Sequence, residues 1–489
     1  MKKERRKHNI LLNLILLSSI VVIAVVMRWQ HIGTPLADFH SWRQADTAAV
    51  ARNFQRDGID LLHPRFDDIS RIQSGQDNLQ GYRMVEFPLY NAGITILASI
   101  PGISIVMAGR LLTILASIVV IVIIYIFALE ERGVIAAATA AILYATFPFF
   151  VFFSRVVLPE STALASTFLG LFFLYLNLYQ QRRWIAGIYY ALAVVFFAVG
   201  ILIKPTVIFY AFAFGWLFLR KYEWSIAKRW PVYLFFILSV IPFLLWRQHI
   251  AAYPEGIPVS DWLFTSVNTS PGGLQTIFFK PSFFRWIFYE RINNLIFGGY
   301  LTVFFVVGLL RKQKNYFLLS IIFSAFVFLF VFQGGNVQHE YYQTIIFPAL
   351  ALGVGLGISF IAEHHSVFVN PFVTGASIIG LSAFSYFISY YQVRGYYNYP
   401  TELVNISNII KSVTAPDDRI ITDTTGDTTL LFLSDRKGSP APILDLKYFK
   451  EKENYKYFVT QNKEVIDQKK KEGELRLKFE NSKFAIFEL

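Results

Sequence analysis

The sequence contains no cysteine among its 489 residues. Disulfide frameworks and thiolate metal sites are thereby excluded, and the redox character of the compartment leaves no mark. Charge is scarce too. Only 16% of residues are Asp, Glu, Lys or Arg, against about a quarter in soluble globular chains. No internal repeat and no low-complexity segment is visible, which weighs against transporters built from paired halves.

What fills the chain is apolar. Hydrophobic residues make up 55%, aromatics 17%, and Phe alone 49 positions; the mean hydropathy is +0.46. The expected class is a polytopic α-helical membrane protein. A net charge of +12 then belongs to cytoplasmic loops, not to a nucleic-acid partner. The N-terminal MKKERRKHN leads into ILLNLILLSSIVVIAVVM with no clean small-residue cleavage site. It reads as an uncleaved signal anchor with its basic end inside.

A span needs about 20 apolar residues. The candidates are 10–28, 104–128, 133–151, 160–180, 184–203, 205–219, 231–246, 295–310, 316–333, 343–361 and 370–391, about eleven in all. The run 88–101 is short and closes on Pro101-Gly102. Parity places it. If it does not span, EERG (130–133), QQRR (180–183), RKYEWSIAKR (220–229) and RKQK (311–314) fall on the side of the basic N-terminus. If it spans, all four move outside, against the positive-inside rule. It is therefore expected to be interfacial or re-entrant, with the N-terminus in and the C-terminus out.

This topology leaves a first outer loop (about 29–103), a short turn (152–160), a third outer loop (about 247–294) and a polar tail on the outer face. The division by composition is a transmembrane domain over 1–391 and a small extracytoplasmic α/β domain over 392–489. In the tail, RIITDT and KYFVTQ read as strands, and TELVNISNIIKSV and NKEVIDQKKKEG as helices.

The non-basic polar motifs gather on the outer side. DFHSWRQADTAAVARNF (38–54) has helical composition from near Ser41 to Asp46 onward. Arg43 and Asp46 are three apart and share a face. Asp46 is either an N-cap or a general base, with Asp38 as the second candidate base. Arg43 is either a headgroup anchor or a phosphate ligand, and His40 and Trp42 suit an interface in both cases. In VEFPLYN (85–91), Glu86 serves the dipole of the following helix or a substrate. In FFSRVVLPESTAL, Arg155 and Glu160 stand alone between apolar spans. They either pair with each other or hold a substrate, because charge at membrane depth is costly. Lys204 in ILIKPTVIF is a lone cation at a span end that either snorkels or binds. GGNVQHEYYQTIIFPALALG places His339, Glu340, Tyr341 and Tyr342 just before a span. Preplaced cations suit a phosphate leaving group, and a carboxylate suits deprotonation of an acceptor hydroxyl.

Taken together, these motifs resemble the GT-C membrane glycosyltransferases that use polyprenyl-phosphate sugars, a superfamily that includes the protein O-mannosyltransferases and the lipid A aminoarabinose transferase. The resemblance covers about residues 10–390. DTAAVARNF matches the helix of the family's first outer loop, EFPLYN its P-P-L-Y-like helix start, and SRVVLPE its S-R-x-x-x-x-D/E turn. HEYYQTIIFPALAL matches its late H-x-Y-Y segment, and Lys204 stands where the family carries a Lys at an outer span end. One departure matters: Arg43-Gln44 occupies the place of an Asp-Glu pair, so the base must come from Asp46 or Asp38, or Glu160 must contribute.

The resemblance implies sugar transfer, with inversion, from a polyprenyl-phosphate donor to a lipid, glycan or protein hydroxyl. The reaction would take place at the outer face of the bacterial cytoplasmic membrane. Arg43, Arg155, Lys204 and His339 would hold the phosphate, and His40, Glu86, Glu160, Glu340, Tyr341 and Tyr342 the substrates. A divalent metal ion near the first-loop Asp is compatible with the family and not required by it. The rivals are an O-antigen ligase or polymerase with a lipid-diphosphate donor, and a transporter of lipid-linked saccharide.

Overall fold

The computed structural model describes residues 9–259, 280–312, 315–364 and 370–489. The basic residues 1–8, the middle of the third expected loop (260–279) and half of RKQK (313–314) lie outside the described residues. By internal contacts the chain forms two units. The first takes Met1–Ile32, Leu111–Leu245 and Trp262–Gly395; the second takes Gly33–Arg110, Trp246–Asp261 and Tyr396–Leu489. The composition break at 391/392 marks where the polar tail begins. By contacts, residues 396–489 form one unit with 33–110 and 246–261.

Among the described residues, seven helices are long and apolar enough to cross a membrane, or eight if a bent pair counts as one span. The seven are Ile10–Trp29, Ile105–Glu131, Glu160–Tyr179, Arg183–Ile203, Trp230–Ile250, Glu340–Glu363 and one beginning at Pro371. The other four expected spans are shorter or broken, and the sequence supplies the reasons. Pro148 ends the helix Val134–Thr146 and opens the six-residue Pro148–Phe153. Pro205 opens a 3-10 turn before Ala211–Tyr222. Gly298 and Gly299, both at positive φ, separate Pro281–Ile296 from Leu301–Leu310, with a bend of 119°. Phe317–Val331 has only 15 residues. Proline lacks the N–H a helix interior needs, and glycine enters the left-handed region at no steric cost. The run 88–101 contains the ten-residue helix Leu89–Ala98, too short to span.

Within the first unit, close helix packing rests on small residues, the usual device where lipid removes the hydrophobic drive. A Cβ on Gly357 would lie 1.8 Å from the carbonyl oxygen of Phe304, and one on Gly308 2.1 Å from that of Gly353. Broken spans also strand carbonyls, and these need donors. Arg28, fully buried, donates to the carbonyls of Tyr144 (2.8 Å) and Ala145 (2.8 Å) and to Ser154 Oγ (2.7 Å). One guanidinium thus caps the helix that Pro148 interrupts.

The second unit is α/β. Its strands are β1 (Arg419–Thr422), β2 (Gly438–Ser439), β3 (Tyr455–Thr460), β4 (Arg476–Glu480) and β5 (Ala485–Glu488), in the order β2-β1-β3-β5-β4. β1 runs parallel to β2 and β3; β5 runs antiparallel to β3 and β4. Alternation sends Ile420 to one core, with Ile406, Ile410, Leu430 and Ile486, and Ile421 to the other, with Ile69, Phe449, Phe458 and Phe487. The first-loop segment 67–69 joins this sheet. Ile69 N donates to Gly438 O, and Gly438 N to Asp67 O, each at 2.9 Å. Only glycine fits at 438, since a Cβ there would lie 1.8 Å from Ile420 O.

Gly357→Ala is expected to lower the melting temperature in detergent, at a cost of about 1–3 kcal/mol for overpacking. Gly375→Ala, on Pro371–Val393 with nothing within 4 Å, should be neutral or slightly stabilising. Equal shifts from the two substitutions would contradict this packing.

Candidate functional site

The residues singled out in the sequence fall into two groups, one in each unit. In the second unit the helix Ser41–Asp57 starts at Ser41, with His40 before it in the left-handed region (φ 57°). Asp46 is therefore in the second turn and cannot be the N-cap. It is 1% exposed. Its Oδ1 accepts from Thr428 Oγ1 at 2.7 Å, and its Oδ2 lies 3.0 Å from Arg83 Nη2. Asp38, 3% exposed, accepts from Gln44 Nε2 at 2.8 Å, and its Oδ2 is 3.5 Å from Arg110. Arg110 also donates to the Thr34 carbonyl at 2.7 Å. Arg43 shares its helix with Asp46 but turns to Glu86, donating at 2.6 and 2.8 Å to the two carboxylate oxygens. Glu86 thus serves Arg43. The His40 ring lies 4.1 Å from that of Phe39, which stacks on Tyr396.

Further pairs secure the same helix. Arg52 binds Asp67 and, at 3.0 Å, Asp435; Arg56 binds Asp435. Asn91 and Thr95, on Leu89–Ala98, donate to the carbonyls of Thr47 (2.7 Å) and Ala51 (3.0 Å). Asp68 lies beside the Asp46–Arg83 pair. Its Oδ1 accepts from the Ser70 hydroxyl at 2.6 Å and the Ser70 amide at 2.9 Å, while its buried Oδ2 has no hydrogen-bond partner among the described residues. Burial pushes the Asp68 carboxyl up to about 7, with Asp46 adding to the effect and the Ser70 bonds opposing it. Burial also pulls the Arg83 guanidinium down, against the pull of Asp46.

In the first unit, of the two readings of Arg155 and Glu160, their mutual pairing is the one the structure does not show. Glu160, first residue of Glu160–Tyr179, binds Lys204 Nζ at 2.9 Å, with both side chains almost fully buried. Lys204 therefore does not snorkel. It closes the helix Arg183–Ile203 as its C-cap and lies 5.0 Å over the Tyr342 ring. Neither Glu160 oxygen takes part in a hydrogen bond among the described residues. Arg155, fully buried, donates to the His31 carbonyl at 2.8 Å. His339 stacks on Tyr341 at 5.2 Å, and Tyr341 lies 4.5 Å from Tyr342. Glu340 pairs with Arg291 at 3.2 Å. Arg291 also donates to Gln343 Oε1 (3.0 Å) and to the Val337 carbonyl (2.7 Å).

Sequence reasoning missed Arg83, Arg110, Thr428 and Arg291. Each is the distant partner of a carboxylate it did single out, and no local spacing announces such pairs. Among the described residues no three His, Asp or Glu side chains gather as a group that could hold a metal ion. Asp38, the first-loop acid, faces Arg110. No step is assigned to a metal.

Residues 87–246, roughly a third of the chain, match the family model of dolichyl-phosphate-mannose-protein mannosyltransferases. No curated protein sequence matches the chain. In fold it is similar to ArnT from Cupriavidus metallidurans. With the apo state the TM-score is 0.64 at 12% identity, over 97% of both chains. With ArnT bound to undecaprenyl phosphate it is 0.65 at 12%, over 98% of both. It is also similar to the oligosaccharyltransferase AglB from Archaeoglobus fulgidus, solved in complex with an inhibitory peptide and a dolichol-phosphate. There the TM-score is 0.60 at 12% identity, over 92% of this chain and 69% of that one. The shared fold is that of a polytopic helical membrane protein. The family match over residues 87–246 agrees with the resemblance that the motifs carried.

Asp68 gives a signed expectation. Between the usual carboxyl value of about 4 and about 7, the folded chain keeps a proton that the unfolded chain has lost. Its contribution to stability therefore falls as pH rises through that window and is flat above it. In Asp68→Asn the drop in melting temperature between about pH 5 and pH 7.5 should shrink relative to wild type. An unchanged drop would mean that Asp68 is ionised in the folded chain.

Proposed function

We propose that the chain transfers a sugar from a polyprenyl-phosphate donor to an acceptor hydroxyl, with inversion, at the outer face of a bacterial cytoplasmic membrane. The observation that carries this reading is the buried Glu160–Lys204 pair beside Tyr342, in a fold whose relative ArnT was solved with undecaprenyl phosphate bound. A phosphodiester gains negative charge as it leaves. A cation fixed in a buried setting stabilises that charge more than one in water does. Lys204, Arg155 and His339 are the proposed phosphate ligands. The Glu160 carboxylate, which accepts no hydrogen bond among the described residues, suits a donor-sugar hydroxyl.

The proposed base is the first-loop carboxylate Asp46, with Asp38 as the second candidate. Asp46 Oδ1 accepts from Thr428, and its buried Oδ2 pairs with Arg83 by charge without a hydrogen bond among the described residues. Asp38 accepts from Gln44 and lies near Arg110. In the proposed step the acceptor oxygen attacks the anomeric carbon and the bond from that carbon to the phosphate oxygen breaks. Polyprenyl phosphate departs, and the acceptor proton passes to Asp46.

A labelled donor in proteoliposomes tests the reading. Polyprenyl phosphate should accumulate with the wild type. Polyprenyl diphosphate would indicate a ligase-type donor, and movement without cleavage a transporter. Asp46→Asn should lower the transfer rate by about 10²–10⁴-fold in protein that still inserts and folds. A rate within about threefold of wild type in folded Asp46→Asn, alongside a large loss in an equally stable Asp38→Asn, would reverse the assignment.

A further inference from the structure

We infer that Tyr82, Tyr253, His63 and His249 form a subsite for a saccharide ring of the acceptor; the inference rests on the glycosyl-transfer reading. None of these residues belongs to the site described above. They come from two stretches of the second unit that are far apart in sequence, yet they form one continuous wall. The Tyr253 ring lies 5.2 Å from His63, 5.3 Å from Tyr82 and 5.3 Å from His249. Trp246 stacks behind His249 at 5.6 Å.

The wall is rigid. His63 Nδ1 is 2.9 Å from Asp60 Oδ2, and Nε2 is 2.9 Å from the Tyr253 hydroxyl. Asp60 Oδ1 accepts from the amides of Leu62 and His63 at 3.0 and 3.2 Å, which fixes the turn. His249 Nε2 is 3.0 Å from the Leu62 carbonyl. The network assigns the proton on Nδ1 to face Asp60, so Nε2 accepts from Tyr253. The phenol oxygen keeps lone pairs for another donor.

The wall is also open. The His63 side chain is 30% exposed and that of Asp60 57%, and Tyr82, His249 and Tyr253 are half-buried. Rings packed only as core would close off. Here fixed aromatic faces border a rim of hydrogen-bond acceptors. A pyranose presents the complementary surface, with an apolar C–H face for the rings and hydroxyls that donate to carboxylate and phenol oxygens. The wall is tied to the rest of the unit. Trp246 Nε1 donates to the Val85 carbonyl at 3.0 Å, one residue before the Glu86 that binds Arg43.

The test uses the full chain in nanodiscs and saturation-transfer NMR. The probes are the methyl pyranosides of glucose, mannose, galactose and N-acetylglucosamine, with a serine-containing tripeptide as the contrasting acceptor. At least one pyranoside should receive saturation at its ring protons. The signal should fall about fivefold or more in Tyr82→Ala and in Tyr253→Ala. Tyr253→Phe keeps the ring and should give a partial loss, which guards against misfolding in the alanine variants. No signal from any pyranoside, equal signals in wild type and variants, or signal from the peptide alone overturns the subsite. Polyprenyl phosphate release is measured on the same preparations. Release without saccharide binding removes this subsite alone. Binding lost in the variants without release in the wild type supports the subsite and removes the transferase reading.

Discussion

The ion pair between Glu160 and Lys204 is the constraint around which the first unit's candidate site is arranged. Moving an ammonium and a carboxylate out of water costs several kcal/mol for each ion, and only close pairing offsets it. Both residues stand where proline has set a helix end. Glu160 follows Pro159 at the start of one helix, and Lys204 precedes Pro205 at the end of the next. Those two helices meet where Gly200 approaches Ala163 and Thr167, so the pair is held by backbone as well as by charge. Tyr342, with Tyr341 and His339 stacked beside it, gives the ammonium an aromatic neighbour. The pair also lacks hydrogen-bond donors to the carboxylate among the described residues. That is a weakness for a purely structural pair and an opening for a hydroxyl-rich ligand.

The second unit solves a different problem. Its first-loop helix is amphiphilic by charge, with Arg43, Asp46, Arg52 and Arg56 on a backbone of small residues. Each charge is matched inside the unit by Glu86, Arg83, Asp67 or Asp435. The last of these, with Thr428, comes from the C-terminal segment, and residues 67–69 extend the sheet beside β2. What reads in sequence as a loop followed much later by a tail is one α/β body.

The sequence showed clearly whatever depends on local pattern. Seven long apolar helices, the short helix at 89–98, the strands at 419–422 and 455–460 and the helices at 401–413 and 463–472 all follow from periodicity and punctuation. The motifs also carried the resemblance to GT-C glycosyltransferases, with which the family match over residues 87–246 agrees. Two kinds of feature stayed hidden. Four expected spans are broken at Pro148, Pro205 and Gly298-Gly299 or fall short, because a hydropathy window averages over a single proline or glycine. Partners stayed hidden too. Arg155 and Glu160 are close in sequence and of opposite charge, yet Glu160 chose Lys204, 44 positions away. Asp46 chose Arg83 and Thr428 over the neighbours on its own helix. Such choices are settled by three-dimensional packing, where desolvation penalises every ionised group without a close countercharge.

The proposed role of the buried pair is to serve a lipid monophosphate. Native mass spectrometry of the purified wild type and of the charge-free double variant Glu160→Leu/Lys204→Met tests it directly. The double variant removes both charges together, so neither is left buried alone. The expected result is a polyprenyl monophosphate bound to the wild type and absent from the folded double variant. A bound polyprenyl diphosphate, or a monophosphate retained equally by both proteins, would contradict the claim.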